Sequence, residues 1–192
     1  APTARPGQGR GARGPLLPPT RPLPDGAVGT DCAVCLEQLE AGQGCCRPPC
    51  LHAFHGDCLR EWAGHSQTCP VCKLDLGAPA PDRELRFRLA DIKSLTAPEL
   101  RYLAAYLGMT VDRGVERDEL ELALIGNARV RVVCCQDELI ALPVARLSQF
   151  LQTTRVKKTA QHVEKGDLVE ALFGGGRFVR QAAPRSSGGA GG

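Results

Sequence analysis

The chain has 192 residues, 23% of them charged, and a formal net charge of +3, too small an excess to indicate a nucleic-acid partner by itself. Aromatic residues make up only 4%, against 22 glycines and 15 prolines, which disfavours one large core and favours small modules joined by solvated chain. No run of about 18 apolar residues occurs, so no membrane-spanning helix and no membrane partner is expected.

Residues 1–29 hold seven prolines, six glycines and four arginines with a single acid. That composition reads as a disordered, mildly basic tail. Residues 30–76 form a cysteine-rich module. The ligand-type residues occur there as four close pairs: Cys32-x2-Cys35, Cys50-x-His52, His55-x2-Cys58 and Cys69-x2-Cys72. Such pairing is the pattern of a metal site rather than of a secreted disulfide framework, and it implies a reducing compartment, cytosol or nucleus. A structural zinc takes four N/S ligands in a tetrahedron, so four pairs predict two closed zinc sites. Closed sites leave no open position for water, which argues against hydrolytic zinc chemistry. Spacing alone leaves open whether neighbouring or alternate pairs share an ion. Cys45 and Cys46 fall outside the pairs and are expected in a short strand as small apolar residues, while Cys134 and Cys135 are expected as buried thiols. His65 is expected at the surface.

Residues 77–91 read as a linker. Beyond them the chain becomes leucine-rich and contains an internal repeat. Residues 115–124, VERDELELAL, match 163–172, VEKGDLVEAL, at five of ten positions. Each copy follows a segment with leucines at helical spacing, LTAPELRYLAAYLG from Leu95 and LPVARLSQFLQTTR from Leu142. The expected architecture is all-α: two helix–extended-loop–helix units at 92–125 and 140–174, a connector at 126–139 and a flexible tail at 175–192. Thr96-Ala97-Pro98-Glu99 has the form of a capping box with proline in the first turn. Gly108, Gly126 and Gly174 stand where helix C-terminal glycines are expected. The run ARVRVVCC (128–135) alternates and is β-branched, consistent with either a short strand or a connector.

The ligand order Cys, Cys, Cys, His, His, Cys, Cys, Cys resembles that of RING-H2 zinc fingers, together with Pro49-Cys50-Leu51-His52-Ala53-Phe54-His55, Cys58, Leu59, Trp62 and Cys69-Pro70-Val71-Cys72. The resemblance implies a small α+β cross-brace fold. Cys32, Cys35, His55 and Cys58 would hold one zinc; Cys50, His52, Cys69 and Cys72 would hold the other. It also implies an E3 ubiquitin ligase that binds a ubiquitin-loaded conjugating enzyme and contributes no nucleophile. The contact residues so implied are Val34, Trp62 and Pro70, with Leu36 as a further candidate. Lys73, directly after the last ligand, matches the position of the family's "linchpin" cation.

The helical units are similar to SAP-like motifs, which precede the finger in rififylin-type ubiquitin ligases but follow it here. Some SAP motifs bind DNA. Over 92–125 four cations face six anions, and over 140–174 five face three, so only Arg155-Val156-Lys157-Lys158 offers a cationic cluster. Charge therefore disfavours nucleic acid, and recruitment of a protein substrate is the expected use. A zinc-stabilised scaffold without ligase activity, or a nucleic-acid adaptor working through the second unit, are the alternatives.

Overall fold

A computed structural model of the chain describes residues 17–22, 29–77, 83–157 and 164–181. The chain divides into two compact units, the first running to Ala80 and the second from Pro81. Residues 1–16 and 23–28 of the expected tail, 78–82 of the expected linker, 182–192 of the C-terminal tail, and Lys158 and Val163 of the second repeat lie outside the described residues.

The first unit is built on a three-stranded antiparallel sheet, β1 (Arg21–Pro22), β2 (Gly44–Cys46) and β3 (Phe54–His55), followed by helix α1 (Gly56–His65). Cys45 lies opposite His55 and Cys46 opposite Phe54. One face of α1 is buried through Gly56, Leu59 and Ala63, a spacing that lines one side of a helix. Phe54, Leu39, Leu59 and Leu76 form a core of few side chains, none more than 1% exposed.

β1 corrects the expectation of a disordered tail throughout 1–29. Arg21 pairs with Cys45 and Pro22 with Gly44. Proline is tolerated on this edge strand because the outer edge needs no donor. The segment lies close because two neighbours lack side chains. A Cβ on Gly44 would meet Thr20 Cγ2 at 2.9 Å, and one on Gly56 would meet it at 3.0 Å.

In the second unit the expected all-α architecture is corrected. Its centre is a parallel sheet of β4 (Leu85–Arg88), β5 (Val130–Cys134) and β6 (Phe178–Arg180), in that order. Leu85 pairs with Val130 and Val132 with Phe178. Between β4 and β5 run α2 (Leu89–Ser94), α3 (Ala97–Tyr106) and α4 (Arg117–Gly126); between β5 and β6 run α5 (Gln136–Ile140), α6 (Val144–Thr153) and α7 (Lys165–Gly174). The repeat is therefore strand–helix–helix–helix, and the two expected helix pairs are its second half. The segments expected as linker, connector and tail contribute β4, β5 with α5, and β6. β5 is the alternating run that allowed a strand or a connector, and it is a strand, whereas β4 and β6 carry too few residues for periodicity to mark them. They form because β5 pairs on both edges and each parallel crossover has helices to cover it.

Helix ends follow local chemistry. The Thr96–Glu99 capping box is present, with its proline in the first turn. Glu116 and Glu119 cap α4 in the same way, as do Glu164 and Asp167 for α7. Gly108 adopts φ +73° after α3, and its counterpart after α6 is Arg155 at φ +57°. Gly126 and Gly174 do not serve as left-handed caps; each is the last residue of its helix, and Gly176 takes the positive φ after α7. Gly126 instead permits close packing, since a Cβ there would meet Thr153 Cγ2 at 2.7 Å and Thr153 O at 3.3 Å.

Phe150 and Phe178 stack at 5.5 Å between centroids, joining α6 to β6. Glu121, 2% exposed, joins the two repeats. Its Oε2 accepts from Arg117 Nη1 on its own helix at 3.2 Å. Its Oε1 forms a close ion pair with Arg146 Nη2 on α6 at 2.9 Å. Arg117 Nη1 also donates to Asp118 Oδ1 at 3.3 Å, and its Nε and Nη2 donate to the carbonyls of Leu95 and Lys93. Among the described residues, no helix is long and apolar enough to cross a membrane.

Candidate metal centre

Two loops of the first unit share one backbone design. In the first, Cys32 N–H donates to Glu37 O at 2.8 Å and Leu36 N–H donates to Cys32 O at 2.8 Å. In the second, Cys69 N–H donates to Leu74 O at 2.7 Å and Lys73 N–H donates to Cys69 O at 3.0 Å. Bridges Asp31–Gln38 and Thr68–Asp75 close the two loops at equivalent positions. Leu36 and Lys73 occupy the same left-handed position, φ 64° and 58°. Each loop turns both sulfurs of a Cys-x2-Cys pair to one side.

The other four groups come from the intervening chain. A turn from Pro48, closed by Leu51 N–H donating to Pro48 O at 2.8 Å, presents Cys50 and His52. His55 ends β3 and caps α1, whose first turn carries Cys58.

These elements converge as two interleaved clusters. Cys32, Cys35, His55 and Cys58 form one, and Cys50, His52, Cys69 and Cys72 form the other, with the ligand atoms of each within 4.8 Å of one another. His55 Nδ1 lies 3.3 Å from Cys35 Sγ and 3.8 Å from Cys58 Sγ. His52 Nδ1 lies 3.7 Å from Cys69 Sγ. A tetrahedron with Zn–S about 2.3 Å and Zn–N about 2.05 Å has edges of about 3.6–3.8 Å, so these three separations match zinc to within a few tenths of an ångström. Each cluster is a closed structural zinc site, and the protein holds two.

The thiols show why a cation is needed. Burial pushes Cys32 up, but N–H groups of Cys35, His55 and Val34 outweigh it and bring the thiol down to about 7. A hydrogen bond from Cys50 brings Cys69 down to about 4, helped by N–H groups of Cys72 and Val71. The same bond, with burial, pushes Cys50 up. Burial and the neighbouring Cys35 raise Cys58 to about 12. Loop amides thus favour the Cys32 thiolate, and the Cys50 hydrogen bond together with loop amides favours that of Cys69, whereas burial and neighbouring thiols oppose ionisation of Cys50 and Cys58.

Residues 30–73 match the family model of the ring finger domain. Residues 30–73 are a RING-H2 zinc finger. Similar proteins include an Arabidopsis thaliana "E3 ubiquitin-protein ligase RING1-like", 44% identical over 55 residues, 29% of this chain and 17% of that protein. A Xenopus laevis "E3 ubiquitin-protein ligase RNF181" is 40% identical over 53 residues, 28% of this chain and 34% of that protein. A "Putative RING-H2 finger protein ATL37" from Arabidopsis thaliana is 40% identical over 160 residues, 81% of this chain and 40% of that protein. The chain thus spans well under half the length of these relatives.

On the surface of the RING-H2 finger, Trp62, Pro70 and Lys73 meet at the second loop. Trp62 Nε1–H donates to Thr68 O at 2.7 Å, fixing the indole. Lys73 Nζ donates to Pro70 O at 3.1 Å and lies 5.5 Å from the Trp62 ring centroid. Val34 is half-buried on the first loop, and Leu36 is 80% exposed. Sequence reasoning passed over Val71, 51% exposed. The shared pattern Cys-x-Val-Cys, which makes Val71 the counterpart of Val34, was the available signal. It also passed over Gln43, whose contact with His55 no sequence spacing announces. Cys45 and Cys46 belong to neither cluster; they are buried in β2, with Cys46 Sγ 3.3 Å from Thr20 Oγ1. His65 is exposed at the end of α1. In the second unit Cys134 is fully buried, and Cys135 is a half-buried N-cap of α5.

Proposed function

We propose that this chain is a RING-type E3 ubiquitin transferase. In this reading the finger binds a ubiquitin-conjugating enzyme carrying ubiquitin as a thioester, and the second unit recruits a protein substrate. The carrying observation is the second zinc loop, where a fixed indole, a proline and a cation converge beside a closed metal cluster. Relatives named as E3 ubiquitin-protein ligases support the same reading.

The zincs supply structure: they hold the two loops at a fixed separation and leave no site for a reacting atom. The substrate amine attacks the thioester carbonyl, and the thiolate of the conjugating enzyme leaves. The finger contributes position, by restricting the mobile conjugate to a reactive geometry. Val34, Leu36, Trp62 and Pro70 would form the apolar contact. Lys73 would donate from its ammonium to carbonyls of the conjugate, leaving a solvent-exposed seat on Trp62 worth only about 0.5–1 kcal/mol. The free thiols require a reducing compartment, cytosol or nucleus.

A lysine-discharge assay with loaded conjugating enzyme tests this. Trp62→Ala and Val34→Ala are expected to slow discharge by about 30-fold, the loss of about 2 kcal/mol typical of an interface anchor, with zinc content unchanged. Lys73→Ala is expected to slow it, and Lys73→Arg to retain it. Full activity of either groove variant refutes the contact. No discharge by the native chain across a panel of conjugating enzymes would favour a zinc-stabilised interaction scaffold.

A further inference from the structure

We infer that Gln43 is a positioning residue for the first zinc site, setting the tautomer and ring orientation of His55. Nε2 of His55 lies 2.9 Å from Gln43 Oε1. That same oxygen accepts the backbone N–H of Glu40 at 3.1 Å. A backbone N–H can only donate, so the atom facing it is the amide oxygen and not the amide nitrogen. An oxygen without a proton can only accept, so His55 Nε2 carries the hydrogen. In a neutral imidazole this leaves the lone pair on Nδ1, the atom that faces Cys35 and Cys58 at 3.3 and 3.8 Å.

Gln43 is itself held in place. Its N–H donates to Glu40 O at 3.3 Å, closing a turn in which Gly42 takes φ +86°. β2 begins at the next residue, and the pairing of Cys45 with His55 brings that turn beside the imidazole. Metal-bound histidines generally use the second nitrogen in this way, and loss of the outer partner typically costs about 10–100-fold in metal affinity. Gln43 lies outside the ligand pattern and its side-chain oxygen bonds His55 and the Glu40 amide, so its effect would reach the metal through His55.

The test is zinc release from the full chain to a chromogenic chelator, with the second site as internal control. Gln43→Met, of similar length but without an acceptor, is expected to speed release from the first site by about 10–100-fold and leave the second unchanged. Gln43→Glu keeps an acceptor oxygen and is expected to restore slow release. In the native zinc-loaded chain, nitrogen NMR of His55 is expected to show a protonated Nε2 and a metal-bound Nδ1. Unchanged release in Gln43→Met, equal acceleration at both sites, or metal bound through Nε2 in the native chain would each overturn the inference.

Discussion

Removing the Glu121 carboxylate should destabilise the second unit without touching the zinc finger. Glu121 is 2% exposed, and its two guanidinium partners are 17% exposed for Arg146 and 37% for Arg117. Stripping one partner from a fully buried ion pair costs about 3–5 kcal/mol. Here both arginines keep other contacts. Arg146 retains Gln149 Oε1 and the Phe150 ring, while Arg117 retains the carbonyls of Leu95 and Lys93. Glu121→Leu, of similar volume, should therefore cost about 2–3 kcal/mol. With a urea slope of about 1–1.5 kcal/mol per M for a unit of this size, the midpoint should fall by about 2 M. Glu121→Gln keeps an acceptor and should lose about 1 kcal/mol. Far-ultraviolet circular dichroism follows the second unit, which holds α2–α7. Fluorescence of Trp62, the single tryptophan, follows the first. A Glu121→Leu variant that unfolds at the native midpoint would refute the idea that this carboxylate staples α4 to α6.

Chelation of zinc should unfold the finger while the second unit persists: the Trp62 signal should change, with most of the helical dichroism retained. Gly126→Ala gains about 1 kcal/mol of helix propensity but forces α4 and α6 apart against the Thr153 carbonyl, at about 1–3 kcal/mol. A lowered urea midpoint of the second unit is expected, and a raised one would show that the helices separate freely. Cys134 is fully buried, and burial pushes its thiol from 9.0 up to about 12. Between those values the unfolded chain is ionised and the folded chain is not. Unfolding then releases a proton, and stability falls as pH rises, by up to about 1.4 kcal/mol per pH unit. Alkaline denaturation of a Cys134→Ala variant should lack that slope. In the native chain Cys134 should resist thiol reagents until the second unit opens.

The ligand residues of the metal centre were legible in sequence because zinc chemistry is local at each pair. A Cys-x2-Cys loop delivers two sulfurs whatever surrounds it, so Cys32–Cys35 and Cys69–Cys72 announce themselves. The helix start at Thr96 was legible for the same reason, since a cap is satisfied within four residues. Pair sharing was different: spacing allowed sequential or interleaved clusters, and resemblance to a family had to supply what the β2–β3 pairing and the placement of His55 display directly.

What tertiary structure alone decided were the contacts that join segments distant along the chain. β4 and β6 are too short to signal themselves, and become strands only because β5 offers each an edge. Thr20 sits against Gly44 and Gly56, and Gly126 against Thr153, through close approaches that no periodicity encodes. Glu121 reads as one more acidic residue on a helix until Arg146, from the other repeat, is found beside it. Gln43 reads as a loop residue until His55 donates to it. Local rules determine ligands and caps because their partners are a few residues apart. Partners brought together from across the fold depend on every element between them, and that information belongs to the folded chain.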